Sequence, residues 1–332
     1  MSTPTDTTAA APREPGAPIS DAPQTRIEGR SLGRIAWLRF KRDKAAMAGG
    51  IVVILLVLLA VLAKPIESVF GLDPNAQHPD LLNADLGGLP NGDFGGMSGS
   101  HLLGIDPGLG RDLLSRIIEG SWVSLLVAFG ATLLSNTIGT VLGVIAGYYG
   151  GWVDTAISRV MDTFLAFPLL LFAISISASL QGGAFGLHGL PLHLCVLIFV
   201  IGFFNWPYMG RIVRGQTLSL REREFVFAAR SLGARGPFIL FKELLPNLVG
   251  PILVYSTLLI PTNILFEAGL SFLGVGIQPP QSSWGGMMND AINYYQVDPE
   301  YLIVPGLAIF ITVLAFNLLG DGLRDALDPR SN

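Results

Sequence analysis

The side chains of this sequence that could do chemistry at an apolar site are two carboxylates, Asp162 and Glu267, each near the end of an apolar stretch. A charge at the middle of a bilayer would cost about 2.5 to 3.5 kcal/mol on insertion scales, so a place near a helix end is less costly. Two interpretations stay open for each carboxylate. It lines a passage or gate through the protein, or it pairs with a neighbouring helix or reaches the water interface.

A second set of side chains offers the nitrogen and sulfur donors that nickel accepts. They are His188, His193, Met287 and Met288. These residues are scattered over predicted loops without ligand spacing, and the single cysteine, Cys195, lies inside an apolar run. The sequence therefore predicts neither a metal site nor a disulfide.

Motifs for catalysis are missing from the sequence. No Gly-Lys pair occurs, which excludes a Walker A phosphate loop, and neither GxSxG nor HExxH is present. We therefore expect no catalytic residue and no ATP hydrolysis in this chain. Any energy for its work must come from a partner.

The composition is that of an integral membrane protein. Half of the residues are hydrophobic, only 14% are charged and 40 are glycine, whereas a soluble domain is more polar. The net charge of -4 says little about partners, because in a membrane protein the placement of charge matters more than its sum.

Six apolar stretches are long enough to cross a hydrocarbon core of about 30 Å as helices. They run over about residues 45–63, 121–149, 156–180, 190–209, 248–266 and 302–320. The sequence thus predicts an all-α membrane protein with six transmembrane helices. Its parts are a disordered tail (1–33), a basic segment with the first helix (34–64), a loop region with an interfacial helix (65–120) and a core of five helices (121–330).

The Lys and Arg residues are distributed asymmetrically between the two sides of these spans. Eighteen of the 21 fall on one side, within residues 13–44, at Arg159, within 211–242 and at the C-terminus. Positive loops mark the cytoplasmic side. We therefore expect both termini and the loop 211–247 in the cytoplasm of a multi-pass protein.

A stripe of small residues marks the second span. Ser135, Gly139, Gly143 and Gly147 recur every four residues and share one helix face, which lets another backbone come close. The partner of this face is either another helix of the same chain or a second, similar subunit, and both alternatives stay open.

The loop 211–247 carries the clearest local pattern. Within 222–232, Phe225, Ala228, Ala229 and Leu232 share one helical face, which predicts a short amphipathic helix. Gly233 stands at the position of a helix C-cap glycine. Pro237 then predicts the start of a second short helix that ends before Pro246.

This pattern, EFVFAARSLGA followed by LLPN, resembles the EAA coupling loop of bacterial ABC-importer permeases. Phe227 stands where the family usually has Glu, and Glu224 keeps a carboxylate one turn earlier. The resemblance implies that the loop docks on an ATPase subunit. The residues it assigns to this coupling are Glu224, Phe227, Ala228, Ala229, Leu232, Gly233, Leu245 and Pro246.

Three further segments are similar to the C-type permease subunit of the peptide and nickel importers. They are HLLGIDPGLGRDLLSRIIEG, EAGLSFLGVGIQPPQSSWGGMM and LAFNLLGDGLRDALDPR. The first departs from the family's HxLGTDxxGRDxxSR pattern at Ile105 and by one extra residue before Gly110.

The resemblance implies a type I permease in a bacterial inner membrane that moves di- or oligopeptides or a related small solute. The partners it implies are a homologous second permease, two ATPases that hold ATP and Mg, an extracytoplasmic solute-binding protein and the lipid bilayer, with no nucleic acid. Two alternatives stay open: a nickel or metal-chelate importer, and an ion-coupled secondary transporter. An ion-coupled transporter would need ionisable residues deep in its spans and an inverted repeat. The polar residues at deep positions of this sequence are mostly asparagine, and we find no convincing repeat.

Overall fold

The computed structural model describes residues 32–180, 183–184 and 186–327 of the chain. The predicted disordered tail lies outside the described residues, except that Leu32 and Gly33 begin the first helix. In chain order the helices are α1 (Leu32–Phe40), α2 (Lys44–Val61), α3 (Ala63–Phe70), α4 (Leu113–Tyr149), α5 (Gly151–Ala166), α6 (Leu169–Ser179), α7 (Gly189–Leu220), α8 (Glu224–Ser231), α9 (Gly236–Phe238), α10 (Leu245–Phe272), α11 (Trp284–Ala291) and α12 (Glu300–Leu327). Two short strands, β1 (Leu82–Asn83) and β2 (Leu89–Pro90), pair antiparallel between α3 and α4.

The spans number six when one bent pair counts as a single crossing. The helices α2, α4, α7, α12 and the continuous stretch Gly236–Phe272 are each long and apolar enough to cross a membrane. The pair α5 and α6 meets the same test together, but its two helices are bent by 78°. The expected all-α fold with six transmembrane segments is confirmed.

The third span differs from the straight helix that its hydropathy predicts over 156–180. It breaks at Phe167, whose backbone is extended (φ -85°, ψ 129°), and restarts after Pro168. A proline disfavours the helical conformation of the residue before it, and its own nitrogen has no hydrogen to donate. The break is thus a local effect of Pro168.

Two helices extend beyond their predicted ends. The expected interfacial helix before residue 120 is the first part of α4, which starts at Leu113 because Asp112 caps it by accepting from the Ser115 amide at 2.7 Å. The helix α7 continues past Arg211 to Leu220, so the predicted loop 211–247 begins as a helix. Apolar length alone does not mark these ends, since a helix continues into water when nothing stops it.

The second short helix was predicted to end before Pro246, and this prediction is wrong. The chain stays helical from Gly236 through a π-helical turn, Ile239–Leu244, directly into α10. A proline clashes with the carbonyl one turn before it in an α-helix, and the wider π turn gives that carbonyl room. The loop therefore feeds straight into the fifth span.

The glycine stripe of α4 lies against α7 of the same chain. A Cβ on Gly139 would be 2.8 Å from the Trp206 carbonyl oxygen, one on Gly143 2.7 Å from the Gly210 carbonyl oxygen, and one on Gly147 2.8 Å from the Arg214 carbonyl oxygen. The Ser135 hydroxyl continues the row by donating to the Gly202 carbonyl at 2.9 Å. Packing within the chain therefore accounts for the stripe.

The far end of the bundle from α8 is closed by α11 and the loop before α4. Trp284 is buried and donates from Nε1 to the Ile117 carbonyl at 3.1 Å. In the loop, Asp106 accepts from the Arg111 amide at 2.6 Å, and His101 Nδ1 lies 2.9 Å from the capping carboxylate of Asp112. The HLLGIDPGLGRD segment thus fixes the start of α4.

Candidate functional site

The corner after α8 is built around Gly233. Its φ of +82° is left-handed, a conformation that glycine adopts without strain. The Gly233 amide donates to the Arg230 carbonyl at 2.9 Å, and the Ala234 amide donates to the Ala229 carbonyl at 3.0 Å. These two bonds are those of a Schellman motif, so the chain turns sharply out of α8.

One buried side chain anchors α8 to the rest of the bundle. Val226 is fully buried in a cluster with Val213 of α7, Ile239 and Leu244 of the π turn, and Leu248 of α10. Phe225 and Ala229 pack against the same cluster from the side. The helix α8 therefore shares one buried cluster with α7, the π turn and α10.

The outer face of the corner is apolar and exposed. Leu232 is 89% exposed, Phe241 70%, Phe238 50% and Phe227 49%. A single exposed leucine is ordinary, but a group of this size at one corner of the bundle is typical of a protein contact. The guanidinium carbon of Arg230 lies 6.0 Å from the centroid of the Phe227 ring.

A hollow of about 680 Å³ opens between α8 and α9. Its lining residues are Phe225, Ala228, Ala229, Leu232, Gly233, Ala234, Arg235, Phe238 and Glu243. Arg235 and Glu243 are its charged members, of opposite sign. We call the exposed apolar group and this hollow together the corner surface.

The basic residues next to the corner surface are tied to neighbouring helices. Arg211 pairs with Asp162 of α5 at 2.5 Å, and Arg214 pairs with Asp154 of the same helix. The Arg221 guanidinium donates to the Gly147 carbonyl of α4 at 3.1 Å. These contacts join the ends of α4, α5 and α7 beneath α8.

The remaining residues assigned to the corner take up three positions. Glu224 is exposed on the first turn of α8, where a negative charge favours the helix dipole. Ala228 is exposed on the same helix, facing the hollow. Leu245 and Pro246 lie at the start of α10, the proline exposed.

The two candidate carboxylates lie in different surroundings. The Asp162 side chain is 52% exposed and paired with Arg211. Glu267 is 1% exposed on α10 and accepts from the Ser271 hydroxyl at 2.8 Å, next to the segment that leads into α11. Asp162 is therefore accessible as well as paired, whereas Glu267 is part of the packing.

A buried chain of hydrogen bonds joins α7, α10 and α4, and no sequence pattern predicted it. The Asn205 amide donates to Asn263 at 2.8 Å, and the Asn263 amide donates to the Thr132 hydroxyl at 2.8 Å. The signal available was the presence of asparagine deep in apolar spans, since such groups need partners there. What the sequence lacks is the pairing, because these residues are 58 and 131 positions apart.

The residues considered as nickel donors are not on loops throughout, because His193 lies in α7 and Met287 and Met288 lie in α11. Met287 is buried against the start of α4, and His193 Nδ1 lies 2.8 Å from the Gly189 carbonyl oxygen of its own helix. Among the residues that the structure describes, no three His, Cys, Asp or Glu side chains are grouped as metal ligands would be.

Two family models match the sequence. The model described as "Binding-protein-dependent transport system inner membrane component" covers residues 139–332, and "N-terminal TM domain of oligopeptide transport permease C" covers residues 31–84. Together they take in the first span and the region from the last third of α4 to residue 332.

Curated relatives match over most of their length. The glutathione transport system permease protein GsiD of Pectobacterium atrosepticum is 40% identical over 301 residues, which is 91% of this chain and 92% of that protein. The dipeptide transport system permease protein DppC of Alkalihalophilus pseudofirmus is 38% identical over 313 residues, or 94% and 95% of the two chains.

A solved structure matches the fold. The inward-facing MetNI methionine ABC transporter, in its native CY5 crystal form, aligns with a TM-score of 0.52 at 20% identity. The alignment covers 65% of this chain and 98% of that chain. The likeness shows that the helices are arranged as in a type I importer permease.

Proposed function

Because the chain belongs to the family of binding-protein-dependent transport system inner membrane components, we propose that it is the permease subunit of an ATP-driven importer for peptides or a related small solute. Its curated relatives are named for dipeptide and glutathione transport. Short peptides, including γ-linked ones such as glutathione, are therefore the substrate class we assign.

The observation that carries this proposal is the corner surface. It offers exposed apolar side chains on a rigid turn that is anchored to α7 and α10 through Val226. A soluble partner that covers these side chains would gain about 25 cal/mol for each Å² of apolar area removed from water. We infer that the partner is an ATPase subunit, since this chain carries no phosphate-binding loop of its own.

The whole importer is proposed to contain four kinds of chain. A homologous second permease completes the translocation path, two ATPases bind the corner surfaces and hold ATP and Mg, and an extracytoplasmic solute-binding protein delivers the substrate. The bilayer surrounds the permeases, and no nucleic acid takes part.

The orientation we propose follows from the basic residues. Arg211, Arg214, Arg221 and Arg230 surround the corner surface, and positive residues stay on the cytoplasmic side. Both termini then face the cytoplasm of a bacterial inner membrane. The loop region before α4 and the helix α11 lie on the opposite side.

The mechanism that fits this arrangement is alternating access. When nucleotide binding draws the two ATPases together, each corner surface moves with its ATPase. Because Val226 shares a buried cluster with residues of α7 and α10, the motion reaches two spans at once. Nucleotide binding and opening of the path share a coupling free energy, typically about 1 to 3 kcal/mol in allosteric proteins.

Of the two carboxylates, we propose that Asp162 belongs to the inner part of the translocation path. It is half exposed in the single chain and sits with Arg211 one turn before the break at Phe167. Glu267 instead accepts from the Ser271 hydroxyl, which in turn accepts from the Ile277 amide in the segment leading to α11. Asp162→Asn should change transport more than stability, and Glu267→Gln the reverse, as measured by uptake and by thermal unfolding.

Reconstitution tests the proposal. The chain is purified alone and together with the proposed second permease and ATPases, and each preparation is placed in proteoliposomes with the loaded binding protein. We expect ATP-dependent uptake of labelled dipeptide or glutathione by the complex, and no ATPase activity from the chain alone. Uptake by the lone chain that follows an ion gradient would instead establish a secondary carrier.

A further inference from the structure

The segment ahead of the first span is a compact basic surface. Residues 32–44 hold five basic residues and one acidic residue, Asp43. The Asp43 carboxylate is engaged with the backbone of α2, where it accepts from the amides of Ala45 and Ala46 at 2.9 and 3.0 Å. Four of the cations are exposed to solvent: Arg34, Lys41, Arg42 and Lys44.

The packing of α2 on α12 fixes the depth of this segment. A Cβ on Gly49 would lie 2.7 Å from the Ala315 carbonyl oxygen, and Gly322 lies against Ala46. The two helices are therefore antiparallel, and the last turns of α12 project beyond the start of α2. The helix α1 packs on α12 and is joined to α2 by residues 41–43 alone. It thus lies at the headgroup level, where the apolar span ends.

An aromatic side chain occupies the same level. Trp37 is 54% exposed on α1, its ring is stacked on Phe40 with centroids 6.0 Å apart, and the Lys41 ammonium lies 5.3 Å above it. Leu38, beside it, is 40% exposed. Tryptophan prefers the boundary between acyl chains and water, and a lysine over its ring reaches toward the headgroups.

We propose that α1 and the cations that flank it form a binding site for anionic phospholipids, with Trp37 and Leu38 in the upper acyl region and Arg34, Lys41 and Arg42 on the phosphates. Basic clusters next to a transmembrane helix attract anionic lipids in this way. The site is distinct from the corner surface and does not depend on the transported substrate.

Quenching of tryptophan fluorescence by brominated lipids tests the site in the full chain. The protein is reconstituted in phosphatidylcholine bilayers in which the mole fraction of either brominated phosphatidylglycerol or brominated phosphatidylcholine is raised through the same series of values. The difference between the wild type and Trp37→Phe isolates the signal of Trp37. We expect Trp37 to be quenched at several-fold lower mole fraction of the brominated phosphatidylglycerol, and this preference should shrink in high salt.

Two triple variants give matched changes of charge. Arg34→Gln with Lys41→Gln and Arg42→Gln should abolish the preference, while Lys44 is kept because it begins the first span. The control removes three exposed cations elsewhere, Arg159, Arg223 and Lys242, and should leave the preference of Trp37 intact. The charge-conserving pair Arg34→Lys with Arg42→Lys should also retain it.

Two results would overturn the proposal. Equal quenching of wild-type Trp37 by both brominated lipids would show that α1 does not select anionic headgroups. An equal loss of the preference in both triple variants would show a general effect of net charge. The first result needs no variant, so it does not depend on whether a substituted chain folds.

Discussion

At the scale of single residues, Gly233 separates conformational strain from steric clash. A Cβ at this position would meet nothing within 4 Å, so only its φ of +82° opposes a side chain. Gly233→Val should cost on the order of 1 to 2 kcal/mol locally and turn the corner surface away from its partner. We expect uptake by the reconstituted importer to fall while the isolated permease stays folded.

Gly233→Asn is the matched control, because asparagine tolerates the left-handed region better than valine. Its transport should lie between those of the wild type and Gly233→Val. Wild-type coupling of ATP hydrolysis to uptake in the valine variant would mean that this corner does not transmit the motion.

Phe227 is predicted to face an apolar groove on the ATPase. Its ring is half exposed and lies beside the Arg230 guanidinium. Phe227→Glu would bury a charge in the contact, which costs several kcal/mol when unpaired, so co-purification of the ATPases should drop. Phe227→Leu should be mild.

Thermal unfolding of the isolated permease is the control for Phe227. Because about half of the ring is already in water, neither substitution should lower the unfolding temperature much. Unchanged recovery of the ATPases with Phe227→Glu would place this side chain outside the contact.

The carboxyl group of Asp298, which lies outside the spans, should make the stability of the folded protein depend on pH. Burial, with Glu300 as a second cause, raises the pKa of its carboxyl to about 6. The folded state therefore favours the protonated form, and this contribution to stability is complete below about pH 4 and is lost as pH rises through about 6. Unfolding temperature or protease resistance should be higher at pH 5 than at pH 8.

Asp298→Asn should remove that part of the pH profile, since an amide does not titrate. The variant should be more stable than the wild type at pH 8 and similar to it at pH 4. The same slope between pH 5 and 8 in the variant would assign the effect to another group.

At the scale of helices, the stripe on α4 sets how closely two spans approach. Gly143→Ala would place a methyl group 2.7 Å from the Gly210 carbonyl oxygen of α7, so the helices must separate. Overpacking of this kind costs about 1 to 3 kcal/mol. We expect a lower unfolding temperature in detergent.

Gly269→Ala is the control, because nothing lies within 4 Å of a Cβ there on α10. The same substitution in an open helical site is neutral or stabilising by about 0.5 to 1 kcal/mol. Equal destabilisation by both substitutions would show that close packing of α4 on α7 is not what the stripe provides.

Helix positions were predictable from apolar length, and the interruptions were predictable only in part. Pro168 carried a usable signal for the break at Phe167, since a proline disfavours helix at the residue before it. Pro246 carried the same signal and yet lies in continuous helix, because the π turn before it absorbs the clash. Which of the two outcomes occurs depends on the packing around the proline.

The features of the candidate site that lie within one segment were predictable from the sequence. Those that depend on contacts between helices were not. Gly233 and the small face of α8 follow from spacing within one segment. The buried anchor Val226 and the pairing of Asp162 with Arg211, 49 residues apart, need the relative position of helices. A hydropathy pattern specifies that a face is buried and does not specify what lies opposite.

At the scale of the whole molecule, the topology is open to a direct test. Ser98 lies exposed in the loop region before α4, and Ser219 lies exposed near the end of α7. After replacement of Cys195, a cysteine at Ser98 should react in intact cells with an impermeant thiol reagent, and one at Ser219 should react only after permeabilisation. Labelling of the second site in intact cells would invert the proposed orientation.

The unbroken length of α7 has a geometric consequence. Its 32 residues span about 48 Å at about 1.5 Å per residue, and α4 is locked alongside it. The helix continues through Pro207, and a tilt of about 5° about its α8 end would shift its other end sideways by about 4 Å. For such a tilt the displacement grows with distance from the corner and would be largest at Gly189, at the opposite end of the helix.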